Sequence, residues 1–389
     1  MRIAYIEGLR GIFALSVVFD HIFCIFLPAV FDLAGKPNLL SNHLETVLFY
    51  MPRFLYNGSA GVCVFFVLSG FVLSYRFWQS HDNKAVQNAA LSRYIRLSLP
   101  SLVSVLLAYI LWQNNLFTCV EMGSINQHGF GVYEGTAPSF WEALKNGLWD
   151  IFFPAELGLL FKFNVPLWTM QIELKGSLLA FAFLLLFGDM KKRWLIYGIL
   201  VFVFGNTYYL AIIAGVILAD IFYSSDTEKL RVALDKIPGL ALLSLIGGVF
   251  LASFAFKSPY AVYDYMNYRP IFEFFALGEY FYHIVGAVLL VYAAAKLDLL
   301  RHILSAGVLS VLGKYSFALY LVHFPIILSF TGQIFLYFWR RDYAYGDCLL
   351  WATLATVPFL VVATRLMHNY VEQPLTALTK RFRVWMTKE

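Results

Sequence analysis

The chain has 389 residues, of which 60% are hydrophobic and only 14% charged, and its mean hydropathy is +0.69. Soluble domains carry about 45–50% apolar and about 25% charged residues, so this composition excludes a water-soluble globular protein and describes an integral membrane protein. The net charge of +5 does not indicate a nucleic-acid partner, because the basic residues punctuate apolar runs instead of forming one patch.

Ten apolar runs follow one another, at about 8 to 29, 59 to 77, 97 to 113, 166 to 187, 194 to 204, 206 to 223, 239 to 256, 279 to 296, 312 to 335 and 347 to 369. Lipid offers no partner to free backbone amides, and the runs lack the alternation of a membrane barrel, so the expected fold is all-α with about ten transmembrane helices in one bundle. The first run, Gly8 to Ala29, has no small-residue cleavage site behind it and reads as a retained helix. Within it Arg10 and His21 are eleven residues apart, which puts them about 20° apart in azimuth and about 16 Å apart along the axis. They share one stripe. Ionisable groups inside a spanning helix cost roughly 2.5 kcal/mol or more each and usually face a protein interior or a wet cavity.

Farther along, the second run carries Ser69, and Arg93 and Arg96 stand three apart before the third. The fourth run contains Trp168, Glu173 and Lys175, and the ninth contains Tyr320 and His323. Cys24 and Cys63 lie in apolar runs as packing residues, and the cysteines show no metal or redox spacing, so no metal is expected. Connections of about 30 to 58, 114 to 165 and 257 to 278 are long; the middle one, rich in aromatics, suits a lid or binding loop. Residues 1–375 read as one membrane domain and 376–389 as a basic tail.

Lysine and arginine in the connections set orientation. With ten spans the termini share a side, and that side collects 19 basic residues against eight on the other, which makes both termini cytoplasmic. Cys119 and Cys348 then fall together outside, which allows a disulfide between them.

Counting from helix ends puts His21 about 20 Å from the inner face, Glu173 about 10 Å and Ser69 about 15 Å from the outer face, and His323 about 17 Å from the inner one. All four are thus expected near one level. A histidine with a carboxylate forms a general-base pair able to take a proton from a hydroxyl. Acyl transfer to that hydroxyl also needs oxyanion donors, for which Ser69, Trp168 and Tyr320 are candidates. Arg10, Arg93 and Arg96 could hold the phosphates of an anionic donor by bidentate hydrogen bonds. Lys175 could meet an anionic acceptor.

These residues carry a resemblance. EGLRGIFALSVVFDH with Arg10 and His21, GSAGVCVFFVLSGFVLS at 58 to 74, the Arg93/Arg96/Pro100 segment, PLWTMQIE at 166 to 173, YSFALYLVHFP at 315 to 325 and VEQP at 371 to 374 together resemble the membrane acyltransferase-3 family of the polysaccharide O-acyltransferase type. The resemblance implies a ten-helix enzyme that passes an acyl group, usually acetyl, from cytoplasmic acyl-coenzyme A to a hydroxyl of an extracytoplasmic glycan or related acceptor, in the bacterial inner (plasma) membrane. It makes Arg10 and His21 the essential pair; in the mechanism read from the residues, Glu173 or another acid orients His21, and His21 serves as general base or as acyl relay. The chain departs from the family pattern at Cys63 and at Leu174 to Ser177, which bears on the substrate more than on the reaction. The rival class is a polytopic transporter or export protein for a glycan or small anion, since intramembrane charges also mark transport paths.

Overall fold

The computed structural model describes residues 3–40, 43–128, 132–268 and 279–386, all of whose regular structure is helical. Each of the ten apolar runs carries a helix: α1 Ala4–Phe26, α2 Gly58–Ser80, α3 Asn83–Gln113, α4 Thr169–Phe187, α5 Trp194–Phe204, α6 Tyr209–Tyr223, α7 Leu240–Ala252, α8 Glu279–Lys296, α9 Gly307–Trp339 and α10 Tyr345–Phe382. Among the described residues six helical stretches are long and apolar enough to cross a membrane, namely α1, α2, α3, Val165–Phe187, α9 and α10. Two further spans arise if bent pairs count as one: α6 turns 88° into Glu228–Asp235, and α8 turns 98° into Asp298–Leu304. The remaining two, α5 and α7, are shorter, and α5, at about 1.5 Å per residue, is too short to cover about 30 Å alone.

Helix α3 starts fourteen residues before its apolar run, so Arg93 and Arg96 lie on the helix itself. The connection between α3 and α4 is not one open loop, for it contains helices Cys119–Asn126 and Phe140–Lys145. Residues 269–278 of the third long connection and 387–389 of the tail lie outside the described residues. All four cysteines are free thiols, so no bridge joins Cys119 to Cys348. Burial pushes the Cys119 thiol up to about 12, which keeps it protonated and unreactive.

Two compact units divide the chain: Met1–Val17, Pro52–Tyr94 and Ile172–Lys314 form one, and Val18–Met51, Ile95–Gln171 and Tyr315–Glu389 the other. In the first, α2 and α6 pack backbone to backbone. A Cβ on Gly70 would stand 2.0 Å from the Ile212 carbonyl oxygen, and one on Gly215 would stand 2.0 Å from that of Val67. Small residues permit such approach where lipid supplies no hydrophobic drive between helices. Gly215→Ala must push the helices apart, and overpacking of this kind costs about 1–3 kcal/mol. The expected result is a lower unfolding midpoint in detergent, while Gly198→Ala, which meets nothing within 4 Å, leaves it unchanged.

At the other end of α6 a charged knot closes the same unit. Buried Arg193 donates to both carboxylate oxygens of Asp220 at 2.7 and 2.8 Å, to Ser224 at 2.9 Å and to Asp226 at 2.7 Å, while Tyr197 donates to Asp220 at 2.9 Å. Its guanidinium lies 4.8 Å from the Trp78 ring centroid. The hydrogen bond from Arg193 holds the Asp226 carboxyl below the usual carboxylate range. A lowered native value stabilises the fold above the ordinary carboxylate range and the gain is lost as pH falls through and below it. The thermal midpoint of wild type should therefore fall on acidification from about pH 5 to 3, and Asp226→Asn should show a shallower dependence over that window.

Candidate active site

In the second unit, helix α1 ends in carbonyls that have no helical partner, and other elements supply them. The Asn126 amide donates to the Ile25 oxygen and the Tyr345 hydroxyl to the Phe26 oxygen, each at 2.6 Å. His21 stands one turn earlier and is half-buried. Its Nδ1 meets Nε2 of His323 at 3.0 Å, with ring centroids 5.0 Å apart, and the Phe324 ring crosses its edge at 5.0 Å.

The sequence around His323 explains how it is held. Pro325 has no N–H, so the Leu321 carbonyl loses its helical donor, and Ser104 and Asn164 donate to it at 2.6 and 3.0 Å. A wide turn at Ile327–Thr331 releases the Leu328 carbonyl as well, which accepts from the Thr118 backbone and hydroxyl at 3.0 and 2.9 Å. Between these fixed points His323 is fully buried, and its Nδ1 lies 3.1 and 2.8 Å from the carbonyl oxygens of Leu319 and Tyr320.

Those partners assign the tautomers. Carbonyl oxygens only accept, so Nδ1 of His323 carries the proton and its Nε2 is the lone-pair nitrogen. That nitrogen must accept from His21, so His21 is protonated on Nδ1 and keeps its lone pair on Nε2. The sequence reading expects Glu173 or another acid to orient His21; at Nδ1 of His21 the neighbouring group is His323.

Glu173 has other partners, in the first unit. Ser69 donates to its Oε1 at 2.5 Å, and the Arg93 guanidinium forms an ion pair with the same oxygen. Arg93 Nε also donates to Ser177 at 2.8 Å, and Ser177 donates to the Glu173 backbone carbonyl. Arg93 is thus paired with a carboxylate, and the Ser69 proton is given to the same oxygen. Tyr320 is likewise engaged: its hydroxyl donates to the Pro166 carbonyl and lies 2.7 Å from the Thr169 hydroxyl. Arg10 is a third exposed, with Glu7 at 3.7 Å. Arg96 lies one turn beyond Arg93 on α3, Trp168 is half-buried at the entrance to α4, and Lys175 is half-buried two residues from Glu173. Among the described residues no group of three histidine, cysteine or acidic side chains is arranged to hold a metal.

Sequence spacing does not single out Ser177 or Thr169. Ser177 follows Glu173 by one turn, which places it on the same face; that was the available signal.

The profile of an acyltransferase-domain family matches residues 3–368. The chain belongs to the acyltransferase-3 family. Acyltransferase R4 from a Phoma species is 24% identical over 97% of this chain and 95% of its own length, and acyltransferase clz18 from Cochliobolus lunatus is 23% identical over 96% and 94%. Acyltransferase MdmB from Streptomyces mycarofaciens is 26% identical over 98% and 94%. No solved structure matches. Membership of the acyltransferase-3 family makes the protein a membrane acyltransferase acting on groups other than aminoacyl groups, and sets the transporter reading aside. Relatives come from fungi as well as from a bacterium, so likeness does not support an assignment to the bacterial inner membrane.

Proposed function

We propose that the protein is an O-acyltransferase in which Nε2 of His21 removes the proton from an acceptor hydroxyl. The observation that carries this reading is the relay from the Leu319 and Tyr320 carbonyls through His323 to Nδ1 of His21, which leaves the basic nitrogen of His21 at Nε2. The donor is acyl-coenzyme A, with acetyl as the acyl group, and the acceptor is a glycan or a related hydroxyl compound on the far side of the membrane. The alkoxide attacks the thioester carbonyl, the tetrahedral intermediate collapses, and the coenzyme A thiolate leaves with the proton that His21 gathered. His323 stabilises the transient imidazolium by accepting from its Nδ1–H. Arg10 and Arg96 keep the expected role of holding donor phosphates, and Arg93 serves the fold through Glu173.

The topology that goes with this reading has ten spans: the six long stretches, the two bent pairs counted once each, and α5 and α7. The excess of basic residues at the ends of the even-numbered connections puts both termini in the cytoplasm. The test is acceptor-dependent release of free coenzyme A thiol by the full-length protein in lipid vesicles supplied with acetyl-coenzyme A and a panel of hydroxylated acceptors. Thiol release that rises with acceptor supports the reading; absence of release with every acceptor and with longer acyl donors overturns it.

A further inference from the structure

The connection between α3 and α4 holds an unexpected path. Gln113, the last residue of α3, donates from its side-chain amide to the Pro138 carbonyl at 2.8 Å. The Tyr109 and Phe140 rings meet at 6.0 Å. A Cβ on Gly147 would stand 2.8 Å from the Leu102 side chain and 2.9 Å from its Cα. As α3 is followed backwards from 113 through 109 to 102, the connection advances from 138 through 140 to 147. The segment therefore runs antiparallel to α3 in a steady register. From Gln113 to Leu102 is eleven residues, about 16 Å of rise, and the apolar run of α3 spans residues 97 to 113. Gly147 thus lies well inside the apolar length of that helix.

The segment has two faces. Ala143, Asn146, Gly147 and Asp150 are buried, at helical spacing. The opposite face and the returning strand of chain expose Trp141 (75%), Trp149 (55%), Phe153, Leu157 (76%) and Phe161. Helix α3 likewise exposes apolar side chains over this length, at Val103 and Ile110. Two charge pairs lie on it, Lys145 3.5 Å from Asp150 and Lys162 2.7 Å from Glu142, and Glu156 is exposed beside Leu157. The backbone of the segment is helical to Asp150, and the Asn146 amide donates to the Leu159 carbonyl at 2.7 Å, which closes the hairpin. Irregular backbone at membrane depth is tolerated where protein satisfies it.

We propose that residues 138–161 form a re-entrant segment whose exposed face lies against the lipid acyl chains of the leaflet that α3 enters at Gln113. It is not a water-exposed lid. Trp and Leu side chains on this face gain by burial in hydrocarbon what they would lose in water, and the long Lys145 stem can carry its ammonium toward the interface. Asn164, at the end of the return, donates to Ser104 at 2.7 Å and to the Leu321 carbonyl, so the hairpin delivers the chain to the helix that carries His323.

The test uses full-length protein reconstituted in phosphatidylcholine vesicles. The fluorescence lost in a Trp141→Phe/Trp149→Phe variant isolates the emission of those two residues, and it should be quenched by acyl chains brominated near mid-depth and be insensitive to aqueous iodide. In parallel, Leu157→Cys should resist a membrane-impermeant maleimide that labels Asn115→Cys rapidly. Quenching by iodide, or labelling of Leu157→Cys at the rate of Asn115→Cys, overturns the proposal in favour of a water-facing loop. Protection from both quenchers overturns it in favour of a protein partner or a second copy on this face.

Discussion

Replacing His21 with alanine should abolish acyl transfer while leaving the protein folded. His21 is half-buried and helix α1 keeps its end bonds to Asn126 and Tyr345, so the fold loses little. The reaction loses its base. General-base catalysis contributes about 10²–10⁴-fold, and the turnover measured by thiol release should fall by at least that much. His323→Ala should have a smaller effect, about 10–100-fold, because a residue that fixes the tautomer and orientation of a functional histidine commonly acts at that level. The two effects are not independent. Once His21 is gone, removing His323 has nothing left to orient, so the double variant should match His21→Ala alone. Additive losses would mean that His323 works through something other than His21. His323→Gln, whose amide oxygen can accept from Nδ1–H of His21, should recover part of the loss. Retained activity in His21→Ala would remove His21 from the chemistry altogether.

Much of this architecture could be read from hydropathy. Every apolar run forms a helix, because a backbone in lipid has few other ways to satisfy its amides. The bends could not be read, since the 88° turn after Tyr223 and the 98° turn after Lys296 fall at short breaks with no proline. The re-entrant hairpin was hidden for a different reason: Glu142, Lys145 and Lys162 interrupt its aromatic residues, so it resembles an amphipathic loop. At the site, single-helix geometry is visible in sequence and pairing between helices is not. Arg10 and His21 share a face of α1 by simple counting. Nothing in the spacing joins residue 21 to residue 323, or tells Glu173 to take Arg93 and Ser69 as partners. Depth along separate helices brought the right residue types to attention, but partner choice depends on rotation about each helix axis.

That choice can be tested at Arg93 and Glu173, where the second large effect is expected. The two side chains are 10% and 16% exposed, and both lie on helices that the hydropathy places in the membrane. Breaking such a pair by removing one partner leaves a buried charge and costs about 3–5 kcal/mol. Arg93→Ala leaves Glu173 with the Ser69 hydrogen bond but without its cation; Glu173→Ala strands Arg93 beside Ser177. Either variant should unfold at markedly lower denaturant in mixed micelles. Removing both relieves the isolated charge, so the double variant Arg93→Ala/Glu173→Ala should be less destabilised than the sum of the two, with a coupling of about 1–3 kcal/mol. Arg93→Lys should not substitute, because an ammonium lacks the planar fork that reaches Glu173 and Ser177 together. If Arg93 instead binds donor phosphate, its removal should raise the acyl-coenzyme A KM while leaving the unfolding midpoint in place. A loss of stability with unchanged KM assigns the arginine to the fold, and the reverse returns it to the donor.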